Sequence, residues 1–339
     1  MSESIRIVVT EPTHAAEARR SAVRMANEAG FNEVRAGEVA IVVTEACTNI
    51  LKHAGSGEIL LRFAEEGTSN GTELEILSLD RGPGMASIDR CLQDGYSTAG
   101  SPGQGLGAIR RLADESDFYS LAGSGTAILA RWHSGVKEKS PVHAHPGLRV
   151  GAVNVSKHGQ EVCGDSWGME QLGAVATIVL ADGLGHGFEA SQASREAVQT
   201  LRRNREASPK TLIELSHRAL RSLRGAAVAV ACVDQERGTL NFAGLGNIMA
   251  QIYDGSRHSQ HLVSVNGTAG QLTPRIREFN YKWPEQGILV LNSDGLGTST
   301  SLQVYPGLAL CDPSLIAGVL YRDFSRGHDD ATVVVAKAA

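Results

Sequence analysis

Residues that could bind a metal–nucleotide complex begin in the segment TEACTNILKHA. It places Glu45 and Asn49 four residues apart, so both side chains lie on one face of a predicted helix. A carboxylate and an amide packed inward are costly unless they find partners. A metal-bound triphosphate would satisfy both, with Asn49 on the metal and Glu45 accepting a hydroxyl proton. For this pair alone, a polar helix face in solvent is the ordinary alternative.

Two glycine-rich turns follow along the chain. LSLDRGPGM ends a predicted strand at Asp80 and places Gly82 and Gly84 in the turn. An acidic side chain there can accept the exocyclic amine of adenine, and the glycines let the backbone approach the ring. SPGQGLG, at 101–107, opens a predicted helix, whose unhindered amides and positive dipole end favour phosphate. The ordered set of three segments predicts a nucleotide site.

Aspartates at predicted strand ends form a second set of candidate ligands. They are Asp165 in VCGDSWG, Asp182 in VLADGLGHG, Asp294 in LVLNSDGLG and Asp329 in RGHDDATVVV. Any one of them would ordinarily be a turn device. Together they fit hard oxygen ligands at one end of a sheet. Two divalent ions roughly 3.5–4 Å apart, sharing these carboxylates and activating a water, would make a phosphate-ester hydrolysis site. No CxxxxxR loop offers a covalent nucleophile instead.

The first half must position the nucleotide residues. A helix is predicted from an N-cap at Thr13 to about Ala29, and another from about Glu38 to Ala54, each stopped by glycine. A third helix follows Gly107. Strands are predicted at 5–10, 58–64, 73–80, 117–121 and 126–132. This order describes an α/β sandwich.

The second half is richer in strands. They are predicted at 148–155, 173–181, 226–233, 239–243, 248–253, 287–292 and 331–336. Helices at about 189–205, 209–223 and 313–324 could cover the sheets, which indicates a layered α+β domain. Between the halves, the polar segment SGVKEKSPVHAHPG is predicted to be a linker at 134–147, separating domains at 1–133 and 148–339. Its His143 and His145 lack further metal ligands nearby.

Composition excludes several classes of partner. A net charge of −5 and a pI near 6.1 offer no attraction to nucleic acid or anionic lipid. The sequence shows no signal peptide and no apolar run of about 20 residues, so no membrane span is predicted. Five scattered cysteines, an odd number without a CxxC pair, favour a reducing cytoplasm.

The first ~132 residues resemble the GHKL (histidine-kinase-like) ATPase fold of bacterial anti-sigma-factor serine/threonine kinases, especially RsbT-like switch kinases. The resemblance implies binding of ATP and Mg²⁺, with Glu45 as catalytic base, Asn49 as magnesium ligand and Asp80 recognising adenine. It implies that the second glycine-rich segment closes over the phosphates through Gly103, Gly105, Leu106 and Gly107. The absence of a dimerisation helix with a phospho-acceptor histidine disfavours a two-component histidine kinase. His14 and His53 are interpreted as structural.

Residues 148–336 resemble the SpoIIE-type branch of type 2C metal-dependent protein phosphatases, most closely its small RsbX-like members. CGDSW, ADGLGHG, RGAAVAV, LGNI, NGTAGQL, SDGLG and HDDATVVV recur in that order. The resemblance implies an α-β-β-α sandwich holding two Mn²⁺ or Mg²⁺ ions. Asp182 and the Gly183 carbonyl would bind the bridging metals, and Asp165, Asp294 and Asp329 would complete the shell. Asp330 is the less favoured ligand of its pair. Gly225 and Asn247 are expected to shape the site.

Both resemblances imply one kind of substrate, a STAS-domain protein phosphorylated on Ser or Thr. The expected function is a bifunctional switch that adds and removes this phosphate in a partner-switching pathway controlling a sigma factor or another output protein. Since both activities running freely would waste ATP, nucleotide or partner binding is expected to favour one at a time. The alternatives are a first half that binds ATP only to sequester a partner, and a first half that serves as an ATP sensor for the phosphatase. A homodimer is left open.

Overall fold

The computed structural model describes residues 3–65, 72–88, 105–134, 147–255, 259–271, 275–297 and 300–338. The chain forms two units. The first contains residues 2–139 and 310–322, and the second contains residues 140–309 and 323–339. Most of the predicted linker lies outside the described residues, as do its two histidines. The predicted domain limits therefore stay a prediction.

The first unit contains a five-stranded antiparallel sheet in the order β1-β2-β3-β5-β4. Its strands are β1 (Ile5–Val9), β2 (Gly57–Glu65), β3 (Thr72–Asp80), β4 (Glu115–Ser120) and β5 (Thr126–Ser134). Its N-terminal helices are α1 (Pro12–Glu28), α2 (Glu33–Asn49), which continues as a π turn over Ile50–Ala54, and α3 (Gly105–Leu112). The predicted order of elements is confirmed.

One face of this sheet and the three helices enclose a common core. Alternate strand residues such as Ile59, Leu61, Ile76 and Trp132 pack with buried residues of the helices. The start of α2 is fixed by the side chain of Asn32, which accepts a hydrogen bond from the Arg35 backbone.

The predicted N-cap at Thr13 is wrong by two residues. Helix α1 has Glu11 in the N-cap position and Pro12 in the first turn. Proline favours that position because its fixed φ suits the helix and an N–H there would have no helical partner. Thr13 is already helical, and its hydroxyl donates to the Glu11 carboxylate at 2.5 Å.

The second unit contains two sheets. Their strands are β6 (Leu148–Val155), β7 (Asp165–Leu172), β8 (Val175–Gly183), β9 (Ala226–Asp234), β10 (Thr239–Leu245), β11 (Met249–Tyr253), β12 (Ser259–His261), β13 (Ser264–Val265), β14 (Phe279–Lys282), β15 (Ile288–Asn292) and β16 (Ala331–Ala338). One sheet runs β13-β10-β9-β8-β7, with β14 also on β10, and the other runs β12-β11-β15-β16-β6. Strands β7, β12, β13 and β14 were not predicted.

An apolar core lies between the two sheets, with residues such as Ile178, Phe242 and Leu291. Helices α4 (Phe188–Arg203) and α5 (Pro209–Ala219) cover the outer face of the first sheet, where Val198 and Ile213 are fully buried. The layered α+β prediction for this half is confirmed.

The last helix, α6 (Pro313–Phe324), has the predicted limits but a different location from the predicted one. It was expected to cover the sheets of the second half, whereas residues 310–322 belong to the first unit. Gly318 of α6 lies so close to the sheet that an added Cβ would stand 3.1 Å from a Leu79 methyl carbon. Arg131 of β5 donates to both oxygens of Asp312, at 2.8 and 2.6 Å. The second face of the N-terminal sheet therefore binds a segment that is distant in sequence.

Candidate functional site

The three predicted parts of the nucleotide site meet at the end of α2. Glu45 is half-buried, and the Asn49 side-chain nitrogen is buried without a hydrogen-bond partner among the described residues. Gly105, the first residue of α3, faces both. A Cβ on Gly105 would lie 2.9 Å from Glu45 Oε2 and 3.5 Å from Asn49 Oδ1. The glycine therefore keeps open the space in front of the two side chains that could act on a metal-bound phosphate.

The remaining residues of the glycine-rich segment divide into two groups. Gly103 lies outside the described residues. Leu106 is partly buried and packs against the core of the first unit, and Gly107 is buried within α3. The role of Leu106 in holding the start of α3 is thus one of packing, while its predicted contact with nucleotide stays a prediction.

Asp80 ends β3 and is held by the turn that follows it. Its Oδ1 accepts hydrogen bonds from the backbone N–H groups of Gly82 at 2.8 Å and Thr126 at 3.2 Å. Burial raises the pKa of Asp80, although these two bonds and the positive charges of Arg322 and His53 oppose that effect. His53, interpreted from sequence as structural, therefore also contributes to the electrostatics of this site.

Glycine is required twice in the Asp80 turn. Gly82 packs on Ala54, where an added Cβ would stand 2.8 Å from the alanine Cβ. Gly84 has φ +67° and lies against the Leu121 carbonyl, 2.2 Å from where its Cβ would be. Both glycines therefore have a packing role in this turn, and their predicted approach to the adenine ring stays a prediction.

In the second unit, strands β7 and β8 bring two of the predicted aspartates together. Asp165 begins β7 and is directly opposite Asp182, near the end of β8, in an antiparallel register. Asp165 is buried and Asp182 is half-buried. Gly183 follows, and an added Cβ there would lie 2.0 Å from the Ala190 carbonyl oxygen of α4. The glycine therefore allows α4 to pack closely beside the aspartates.

Asp294 joins this pair from the loop after β15. Its negative charge raises the pKa of Asp182. The Asn247 amide donates to Asp294 Oδ2 at 2.7 Å, which gives this asparagine the definite role that the sequence left open. Sequence reasoning did not find Ser293 and Thr332, whose hydroxyl groups act to lower the pKa of Asp165 against the effect of burial.

Of the last two aspartates, the structure buries Asp330 and exposes Asp329. Asp330 is 4% exposed, and its Oδ1 accepts a hydrogen bond from the Lys157 backbone at 2.8 Å. Its Oδ2 is buried without a hydrogen-bond partner among the described residues, and a Cβ on Gly164 would stand 2.6 Å from that oxygen. Asp329 accepts from the Asp330 backbone at 2.9 Å. The preference for Asp329 over Asp330 from sequence does not match this burial, and the Asp329 ligand role stays a prediction.

The carboxylates raise one another's pKa values. Burial is the largest cause for Asp165 and Asp182, and the negative charges of the neighbouring aspartates raise both pKa values further. Asp165 Oδ2 is also buried without a partner in the described part of the chain. Among the described residues, the structure shows no group of three or more His, Cys, Asp or Glu side chains placed to hold one metal ion. The unsatisfied oxygens and the mutual repulsion nevertheless fit hard divalent cations, which would relieve both.

Comparisons with known proteins match the two halves of the chain in order. A family model described as the histidine kinase-like ATPase domain matches residues 8–132, and the Stage II sporulation protein E (SpoIIE) model matches residues 173–339. The serine/threonine-protein kinase RsbT of Bacillus subtilis (strain 168) is 36% identical over 116 residues, which are 34% of this chain and 86% of RsbT. The chain belongs to the RsbT kinase family through its first half.

Two further matches are more distant in sequence. The phosphoserine phosphatase RsbX of the same strain is 21% identical over 155 residues, 46% of this chain and 78% of RsbX. A solved structure described as "The bacterial stressosome: a modular system that has been adapted to control secondary messenger signaling" has a TM-score of 0.53 and 26% identity, covering 56% of this chain and 99% of that one.

The predicted combination is confirmed: an RsbT-like GHKL domain is joined to a SpoIIE-type, RsbX-like phosphatase domain. The predicted fold class is confirmed with it. By these matches the chain is an enzyme of the metal-dependent serine/threonine phosphatase class that also carries a kinase-type domain.

Among the described residues, no helix is long and apolar enough to cross a membrane.

Proposed function

We propose that this RsbT–RsbX-like chain both phosphorylates and dephosphorylates Ser or Thr residues of a STAS-domain protein in a bacterial partner-switching pathway. The observation that carries the proposal is that one chain contains two separate sets of unsatisfied polar groups. One set is the buried Asn49 amide nitrogen beside Glu45, and the other is the aspartate cluster, in which one oxygen each of Asp165 and Asp330 is buried without a partner among the described residues. Each set has the chemistry that its half requires.

For the kinase reaction, the side-chain oxygen of Asn49 would bind a magnesium ion carried by ATP. Its amide nitrogen, which is buried without a hydrogen-bond partner among the described residues, would donate to a phosphate oxygen. Glu45 lies one helical turn earlier on the same face, where it would accept the proton of the attacking hydroxyl. Asp80 would accept a hydrogen bond from the adenine amine. The backbone amides at the start of α3, beside Gly105, would bind phosphate oxygens.

For the phosphatase reaction, Asp165, Asp182, Asp294 and Asp330 would hold two Mn²⁺ or Mg²⁺ ions, with Asp329 at the exposed edge and Gly183 offering its carbonyl. When bound, such ions supply a metal-activated water and stabilise the charge on the phosphoryl group. The chain itself helps to orient the ligands, because Asn247 donates a hydrogen bond to Asp294. The hydroxyl groups of Ser293 and Thr332 act to lower the pKa of Asp165, which favours its ionised form.

The substrate is proposed from the relatives. RsbT carries the name of a serine/threonine-protein kinase and RsbX that of a phosphoserine phosphatase. Both names indicate chemistry on protein hydroxyl groups, so one protein with one phosphorylated residue could serve both halves. The cysteines Cys47, Cys163, Cys232 and Cys311 are free, in keeping with action in the cytoplasm. The output would be release of a sigma factor or another regulator.

The test uses a STAS-domain protein encoded beside this chain and follows its phosphorylation by intact-mass spectrometry. Wild type with Mg²⁺-ATP should add phosphate, and wild type with Mn²⁺ and the phosphoprotein should remove it. Glu45→Gln should lower phosphorylation about 10²–10⁴-fold and leave dephosphorylation unchanged. Asp182→Asn should do the reverse. Glu33→Gln on α2 and Asp234→Asn at the end of β9 are matched controls that should leave both rates unchanged. Failure of wild type in either direction would refute the bifunctional proposal.

A second candidate function is a phosphatase controlled by an ATP sensor. It is favoured by one observation, namely that residues 310–322, from within the SpoIIE match, belong to the nucleotide-binding unit. This candidate requires that ATP binds and alters dephosphorylation while no phosphate is transferred by wild type or by Glu45→Gln. If ATP and partner both bind, no phosphate is transferred, and phosphatase turnover is the same with and without ATP, the first half is a sequestering module.

A further inference from the structure

Arg322 of α6 contacts the residue proposed to recognise adenine. It lies in the last turn of the helix and is 7% exposed. Its Nη1 donates to the backbone carbonyl of Asp80 at 3.0 Å. The Arg81 guanidinium in turn donates to the Arg322 carbonyl. Two arginines thus connect the end of β3 with the end of α6.

This contact completes the set of hydrogen bonds around Asp80. Gly82 and Thr126 donate to Oδ1, and Arg322 donates to the main-chain oxygen. Gly125 closes the remaining approach to that oxygen, since an added Cβ would lie 2.0 Å from it. The bonds leave Oδ2 as the carboxylate oxygen without a hydrogen-bond partner among the described residues. A base amine could therefore bind there without displacing a protein contact.

The positive charge of Arg322 also affects the carboxylate of Asp80. Burial raises the pKa of Asp80, and a protonated carboxyl would be a poorer acceptor for an amine. The positive charges of Arg322 and His53, together with the Gly82 and Thr126 amides, lower the pKa and favour the ionised form. Arg322 therefore acts on the Asp80 side chain as well as on its backbone.

We propose that Arg322 is a positioning residue for adenine recognition, holding Asp80 in the place where its Oδ2 accepts the exocyclic amine. The inference rests on the proposed nucleotide site and adds to it a residue that comes about 240 positions after Asp80 in the sequence. The nucleotide site of the first half is then complete only when the segment 310–322 is seated on the sheet. By linkage, adenine nucleotide must strengthen that seating to the same extent.

The test measures binding to the full chain by titration calorimetry in Mg²⁺, comparing wild type, Arg322→Gln and Arg322→Lys. The probes are ATP, GTP and inorganic tripolyphosphate. A hydrogen bond from a charged donor is worth a factor of about ten or more in an equilibrium constant, and the loss of this one would reach ATP through the position of Asp80. We expect Arg322→Gln to weaken ATP by that factor, to reduce the preference for ATP over GTP, and to change tripolyphosphate affinity less than about twofold. Arg322→Lys, which keeps the charge, should recover part of the ATP affinity.

Hydrogen exchange gives an independent readout. In wild type, ATP should slow exchange in α6 peptides, and this protection should be smaller in Arg322→Gln. The control Arg24→Gln, at an exposed position on α1, should match wild type in every assay. Unchanged ATP affinity in Arg322→Gln would overturn the inference, and so would equal losses for ATP and tripolyphosphate, which would make Arg322 merely structural. Failure of wild type to bind ATP would instead refute the nucleotide site itself.

Discussion

Substitution of Glu75, the most buried acid among the described residues of the first unit, tests quantitatively the ion pairs that hold the α6 segment on the sheet. Glu75 is 1% exposed, and its two oxygens accept from Arg62 Nε at 2.5 Å and Arg131 Nε at 2.8 Å. The same Arg131 binds Asp312, at the start of the α6 segment. Glu75→Gln removes the negative charge that both guanidinium groups share, with little change in volume.

The magnitude follows from the pKa of Glu75. Burial alone would raise this pKa, but the charges of Arg62 and Arg131 outweigh burial and lower it from 4.5 to about 2. That difference corresponds to roughly 3 kcal/mol of folding free energy at pH 7. Because the folded-state pKa is the lower one, the stabilisation is present above pH 4.5 and is lost as the pH falls towards 2. About 1 kcal/mol should remain at pH 3.

The assay is urea unfolding, monitored by the hydrogen exchange of peptides from β3 and β5. Because both strands belong to the first unit, the assay reports the unfolding of that unit alone. Glu75→Gln should lower its unfolding free energy by about 3 kcal/mol at pH 7 and by about 1 kcal/mol at pH 3. Glu17→Gln, at an exposed position on α1, is the control and should change neither value by more than about 0.5 kcal/mol. A Glu75→Gln loss that is below about 1 kcal/mol at pH 7, or equal at both pH values, would refute the reasoning.

Three further predictions concern the aspartate cluster. Asp330→Asn should raise the Mn²⁺ concentration needed for half-maximal phosphatase activity more than Asp329→Asn does, because only Asp330 is buried; equal effects in a metal titration would contradict this. Asn247→Ala should weaken apparent metal affinity about 10–100-fold by freeing Asp294, with kcat at saturating metal largely retained. An unchanged metal titration would show that the hydrogen bond does not contribute to metal affinity. Gly183→Ala should destabilise the second unit by at least about 1–3 kcal/mol, since its Cβ would collide with backbone, and an unchanged thermal midpoint would argue against this packing.

The sequence predicted those parts of the fold that local pattern determines. Glycine located the end of the α2 segment at Ala54, but its predicted start at about Glu38 was wrong, because the helix begins at Glu33 after the Asn32 cap. Apolar runs located β8, β9 and β16. Strand β7 was missed because DSWGMEQL has neither an apolar run nor a clean alternation, and its pairing with β8 supplies what local preference lacks. The Asp80 turn and the glycine at the start of α3 were found from their glycines, which were predicted to contact nucleotide; the structure shows these glycines close to protein atoms instead.

Tertiary packing explains what could not be predicted. The limits of α6 were correct, but an apolar helix pattern does not say which sheet it will cover. Polar residues such as Arg62, Glu75 and Arg131 occupy alternate positions along their strands, a pattern typical of a sheet face exposed to solvent. The structure buries them against α6 instead. Asp329 and Asp330 are adjacent and chemically identical, so only the backbone path after α6 decides which one is buried.

The measurement that tests the central claim most directly is the phosphorylation state of one STAS-domain protein, followed over time by mass spectrometry with this single chain, ATP, Mg²⁺ and Mn²⁺. The account predicts that Glu45→Gln keeps the protein unphosphorylated, that Asp182→Asn drives it to full phosphorylation, and that wild type holds an intermediate level. If the Asp182→Asn variant transfers no phosphate, or the Glu45→Gln variant cannot remove it, the claim of two active halves in one chain is contradicted.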